Sequence, residues 1–154
     1  MNTTTIFNRA AANDVLKRFA EAPHRGGYRE ATWLRDLLLL AWVFYHPERL
    51  AELFRITWKA DNTGRLFKDA AGNWTYRNVD AGHAMQNSMY AIAQPVAGLI
   101  EPYLEARPLL LKRESDELFY MPSNHLQHRI NTLLEKYFGR AVSFSELRTM
   151  ATVH

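Results

Sequence analysis

Arginine carries the chemistry in this 154-residue chain, supplying 14 of its 19 basic residues against 5 lysines. Two arginines stand in short signatures far apart along the sequence, Arg49-Leu50-Ala51-Glu52-Leu53 and Ser145-Glu146-Leu147-Arg148-Thr149. A guanidinium offers a planar fork of donors that matches two oxygens of one phosphate, which an ammonium cannot do. A fold that brings Arg49 and Arg148 together would therefore make a phosphodiester site. Glu52, three residues after Arg49, faces the same side of a helix and can fix the guanidinium's orientation. Each signature also has a plainer reading. Arg49 with Glu52 can be an ordinary ion pair, and the stem of Arg148 can simply cover apolar surface.

Other polar groups add binding capacity more readily than catalysis. The segment Pro23-His24-Arg25-Gly26-Gly27-Tyr28-Arg29 is short, basic and glycine-containing, so Arg25 and Arg29 are candidate DNA contacts. Lys68, near a turn, is a further one, although a solvated turn lysine is the simpler reading. His125 and His128 are three apart on an expected helix, a spacing that can bring two imidazoles to one metal. No third ligand matches them, and a solvent-facing or DNA-facing pair is expected instead. Asp61, Asp69, Asp80 and Glu52 form no metal-nuclease pattern, and no glycine-rich phosphate loop is present. The sequence calls for no metal and no cofactor.

The elements that must position these residues follow from periodicity. Asn13 is expected to cap a first helix through Val15, Leu16, Phe19 and Ala20, ended by Pro23. A strongly apolar helix is predicted from Glu30 to Tyr45, buried on most sides over Leu37 to Phe44. His46-Pro47 breaks it, and Pro47 suits the first position of the next helix, placing Arg49 in a first turn. From Phe54 to Ile92, aromatic and apolar residues alternate with the turn clusters Asp61-Asn62-Thr63-Gly64 and Asp69-Ala70-Ala71-Gly72-Asn73. That pattern predicts a small three-stranded antiparallel sheet. A helix should then run from Pro95 to about Arg107-Pro108, with Leu118-Phe119-Tyr120 extended after it. Ser123 is expected to cap a helix through Tyr137 that Gly139 stops, and Val142 to Ser145 leads into a last helix.

The fold class expected is α+β, mostly helical, with residues 1–29 as an N-terminal helix and basic lead-in and 30–154 as one domain. Composition agrees, since 47% apolar content over this length is enough for one domain with a genuine core. There is no cysteine, which removes disulfides, thiolate metal sites and cysteine nucleophiles and suits a reducing cytoplasm. The longest apolar run, Leu37 to Tyr45, is too short for a bilayer, which needs roughly 20 residues. Met1 to Phe7 does not resemble a secretory leader. A cytoplasmic protein with no membrane partner is expected.

The ordered set of motifs resembles one known family. Arg49-Leu50-Ala51-Glu52-Leu53, followed by Trp58, is similar to the R-x-x-E-L-x-x-L-x-W stretch of tyrosine recombinases and phage integrases. Pro102 to Leu110 resembles an R-P-containing stretch of an integrase subgroup, Leu118-Phe119 the family's "LF", and Ser145 to Thr149 its H-x-L-R-[HT] box with serine for histidine. The likeness spans about Trp33 to His154. It implies a recombinase-type catalytic domain that cleaves and rejoins double-stranded DNA at specific sites through a phosphotyrosine, without metal or cofactor. On this reading Arg49 and Arg148 hold the non-bridging oxygens of the scissile phosphate, stabilising the pentacoordinate transition state.

The departures point towards binding over cutting. Ser145 can donate a hydrogen bond to phosphate but cannot carry a proton near neutral pH. No tyrosine follows Arg148, the seven tyrosines from Tyr28 to Tyr137 all precede it, and no lysine lies between Val79 and Tyr90, where the family's general acid would stand. His83 or Gln86 could come nearer that place. His46-Pro47 replaces the family's glycine-containing turn. The expectation is a truncated or degenerate catalytic domain, monomeric alone, with self-assembly on DNA implied by the resemblance. The alternative is a noncatalytic DNA-binding or protein-interaction module on a decayed scaffold. A helical domain with no nucleic-acid role, its arginines merely making ion pairs, is the plainest reading.

Overall fold

The computed structural model describes residues 6–23, 26–79, 89–121 and 125–152. The first helix, α1 (Arg9–Ala20), starts earlier than Asn13 suggested. Asn8 is the cap, its side chain accepting from the Ala11 amide at 2.9 Å, because Phe7 must be drawn into the core. Asn13 lies inside the helix. The long apolar helix α2 (Tyr28–Tyr45) follows, with every residue from Asp36 to Phe44 buried. It is the element on which α1, α3 and α4 all pack.

Pro47–Arg55 is a 3-10 helix, η1, where the sequence suggested an α-helix. Past it lie β1 (Leu66–Lys68), β2 (Trp74–Arg77) and β3 (Met89–Ala91), forming the expected antiparallel sheet in the order β1-β2-β3. Register pairs Leu66 with Tyr76 and Tyr76 with Tyr90. The turn before β1 is set by Asn62, whose φ of 69° is left-handed and whose side chain both donates to and accepts from the Lys68 backbone at 2.8 Å. At Gly64 a Cβ would stand 2.8 Å from the Thr57 carbonyl oxygen, so glycine is required by close backbone approach.

Helix α3 (Gln94–Ala106) lies along α2 and runs into a short 3-10 turn, η2 (Arg107–Leu109). Leu118 and Phe119 are buried, as an apolar run should be, but in a bend and not in the extended run expected, just after Glu117 bridges to Thr57. Helix α4 (His125–Tyr137) ends at Gly139, whose φ of 101° lets its amide reach the Leu134 carbonyl at 3.1 Å. The expected Ser123 cap lies outside the described residues. The last helix, α5 (Phe144–Thr152), is capped by Ser143, whose hydroxyl accepts from the Glu146 amide at 3.0 Å.

The architecture is α+β and mostly helical. Core residues of α1, including Val15 and Phe19, belong to the same apolar cluster as those of α2 to α5. Two buried polar residues fix how the layers meet. Asp36, fully buried in the middle of the apolar helix, accepts from Arg129 of α4 at 2.6 and 2.8 Å and from Arg35 at 3.1 Å. Arg107, 5% exposed, donates to the carbonyl of Ser115 at 2.7 Å and also to that of Glu117. Among the described residues no helix is long and apolar enough to cross a membrane.

Candidate functional site

The two arginine signatures lie on neighbouring elements. Helix α5 packs against η1, with Leu147 and Met150 of the one and Leu50 and Leu53 of the other all buried. Residues about a hundred positions apart in sequence are thereby brought to one junction. The reason is amphipathic spacing on both sides. Leu50 and Leu53 are three apart, one turn of a 3-10 helix, and Leu147 and Met150 repeat at the same interval on α5.

Ser145 and Arg148 stand one turn apart on α5 and are both exposed. Arg148 pairs with no carboxylate among the described residues. Positions 49, 52 and 55 are successive turns of η1, so the expected alignment of Arg49 with Glu52 holds for the backbone, and more directly than in an α-helix. The Arg49 side chain lies outside the described residues.

Glu52 is partly buried, and its charge reaches the sheet. Tyr76 on β2 is fully buried, and burial pushes its phenol above the ordinary value. Glu52 pushes in the same direction, while Arg65 and Arg55 oppose it. Tyr76 is thus kept neutral within electrostatic reach of Glu52, Arg65 and Arg55. A buried phenol held neutral is a poor nucleophile.

The entry to η1 is held by His46, which the sequence marked only as a helix breaker. It is 6% exposed, packs on Trp42 and Tyr90, and accepts from the Ala93 amide through Nε2 at 3.2 Å. That tie anchors the start of η1 to the junction between β3 and α3. The start of α5 is fixed in turn by Arg140. Its guanidinium donates to Glu146 at 2.9 Å through Nη1 and makes a second contact through Nη2. This pairing holds the Glu146 carboxyl below the usual range and raises the guanidinium. The S-x-x-E spacing of Ser143 and Glu146 is the local signal for this cap.

The remaining sequence candidates lie elsewhere. Lys68 is on the α3 side of the sheet, its ammonium 2.8 Å from Glu101 and 5.2 Å from the centre of the Trp74 ring. This contact holds the Glu101 carboxyl low. His125 and His128 are exposed in the first turn of α4. Arg29 is exposed in the first turn of α2, at a cleft with Arg18, Arg129 and Lys136. Arg25, His83 and Gln86 lie outside the described residues, as does nearly all of the stretch from Val79 to Tyr90. Compared with protein-family models, curated proteins and solved structures, the chain finds no match.

Proposed function

We propose that this chain binds double-stranded DNA through Arg49 and Arg148, as part of a tyrosine-recombinase-like catalytic domain whose parent activity is strand cleavage and rejoining. The observation that carries the reading is the packing of α5 on η1, which gathers the two signatures at one junction. An exposed Arg148 with no carboxylate partner among the described residues leaves its guanidinium available to phosphate. Ser145, one turn before it, adds a hydroxyl donor on the same exposed side of α5.

Binding is favoured over cutting. A serine in place of the proton carrier, and no lysine from Val79 to Tyr90, both remove acid–base capacity while leaving phosphate contacts intact. The same two features favour a second reading, a noncatalytic DNA-binding module on this scaffold.

The test is fluorescence anisotropy with a labelled duplex at low salt, comparing the parent with R49A/R148A. The expected result is a loss of affinity of about tenfold or more, with circular dichroism unchanged, and parent binding that weakens steeply as salt rises. Equal binding by parent and double variant would refute the assignment of these two arginines. No binding by the parent at low salt would refute a nucleic-acid role altogether.

A further inference from the structure

A cleft of about 880 Å³ opens between α1, the N-terminal half of α2 and α4. Its walls carry Arg18, Arg29, Arg129 and Lys136 against a single carboxylate, Asp36. That carboxylate is fully buried and already engaged by Arg129 and Arg35, so it neutralises nothing further. Arg29 and Lys136 are both exposed and pair with no carboxylate among the described residues. Arg18 and Lys136 lie 5.7 and 5.4 Å from the centre of one ring, that of Tyr137, so two like charges crowd a single aromatic. Arg18 is paired with Asp14 one turn back on α1 at 3.1 Å and Arg129 with Asp36, which leaves Arg29 and Lys136 as the two uncompensated positive charges of the cleft. Like charges converging on a concavity mark a place where an anion relieves their repulsion.

We propose that this cleft seats the sugar–phosphate backbone of duplex DNA, as a second contact separate from Arg49 and Arg148. The identity of the occupant rests on the DNA-binding reading above. Arg29 offers a guanidinium fork that suits phosphate oxygens, with the Lys136 ammonium beside it, and the opening is far larger than one inorganic anion needs. Thr32 and Asp36 line it nine to thirteen residues before the end of α2 at Tyr45, beyond which η1 begins. At 1.5 Å per residue the two contacts are offset by about 14–20 Å along that helix. On B-DNA this is roughly four to six phosphates of one strand. His125 and His128 extend the polar face of α4 from the same cleft.

The experiment measures duplex affinity of the full chain as a function of salt for two charge-reversed pairs. One is R29E/K136E in the cleft, and the other is K112E/R113E, which makes the same change at exposed residues outside it. The cleft pair is expected to weaken binding by about tenfold or more and to flatten the salt slope by about two, with the control pair losing less than about threefold. Equal losses in the two pairs, or no loss in the cleft pair, would overturn the proposal. So would competition by inorganic phosphate or polyglutamate at the charge concentration at which unlabelled duplex competes. Should charge reversal disturb the fold by circular dichroism, R29Q/K136Q gives the same comparison, with a loss of about threefold or more expected. The readings separate cleanly. Binding that survives R49A/R148A but not R29E/K136E removes the first site and keeps this one, and the reverse pattern removes this one alone.

Discussion

Replacing Arg107 by Met should loosen the chain segment on which η1 leans at its exit. Arg107 is 5% exposed and donates to the carbonyls of Ser115 and Glu117, with a longer contact of 3.4 Å to that of Leu118. Leu118 keeps a donor without it, because the Tyr103 hydroxyl reaches the same oxygen at 2.6 Å. Two carbonyls are therefore left without their charged donor. Each costs about 1–3 kcal/mol when buried, but Ser115 is only partly buried and Glu117 is exposed, so water restores part of the loss. Methionine keeps most of the stem's packing, and a net cost of about 2–3 kcal/mol follows. For a chain of this size that lowers Tm by roughly 5–10 °C. The segment 116–118 pairs with the residues just after η1, through Trp58 N–H to the Asp116 carbonyl at 2.8 Å and Leu118 N–H to the Ile56 carbonyl at 3.0 Å. Hydrogen exchange at the Trp58 and Leu118 amides should accelerate more than exchange in α1. R107K, with one ammonium in place of a fork, should fall between parent and R107M. A Tm for R107M within about 2 °C of the parent, or exchange that rises equally everywhere, would refute this account.

Asp36 and Arg129 should show strong coupling in a double-mutant cycle read by urea unfolding. D36A leaves two guanidiniums without their shared acceptor and should cost about 3 kcal/mol, whereas D36L/R129M should recover a large part of that, and additive losses would refute the pairing. Stability should also fall in alkali. Burial pushes the Tyr103 phenol up to about 12 from an ordinary value of 10. The neutral form is therefore favoured by the fold, and its contribution is complete below pH 10 and is lost as pH rises towards 12. Its full size is about 3 kcal/mol. Y103F should flatten the decline, and an unchanged slope would show that other groups govern it.

Periodicity carried the reading wherever one pattern dominated. The apolar run of α2, the turn clusters before β1 and between β1 and β2, and the glycine that ends α4 all declare themselves locally, because burial, left-handed φ and chain reversal each restrict residue type. Where two local signals compete, sequence alone does not decide between them. Asn13 and Asn8 are equally good caps by type, and only the burial of Phe7 decides between them. Likewise η1 has the composition of an α-helix, and its tighter winding is imposed from outside. The ion pair of Asp36 with Arg129 spans 93 residues and leaves no trace in spacing. The capping pair of Ser143 and Glu146, by contrast, is local and shows in its S-x-x-E spacing.

A 3-10 helix of nine residues needs such outside support. Its hydrogen bonds are poorer than those of an α-helix, and runs beyond three or four residues are uncommon. At its entry, His46 is locked by the Ala93 amide and by the rings of Trp42 and Tyr90. At its exit, Ile56 and Trp58 pair with a segment that Arg107 holds from beneath. Along its length, Leu50 and Leu53 are covered by α5. Of the four buried polar residues among those described, two are thus used to clamp this one element at its ends. Without those supports, relaxing to an α-helix would satisfy its backbone more cheaply. Together these supports hold positions 49, 52 and 55 one above another along η1, beside α5.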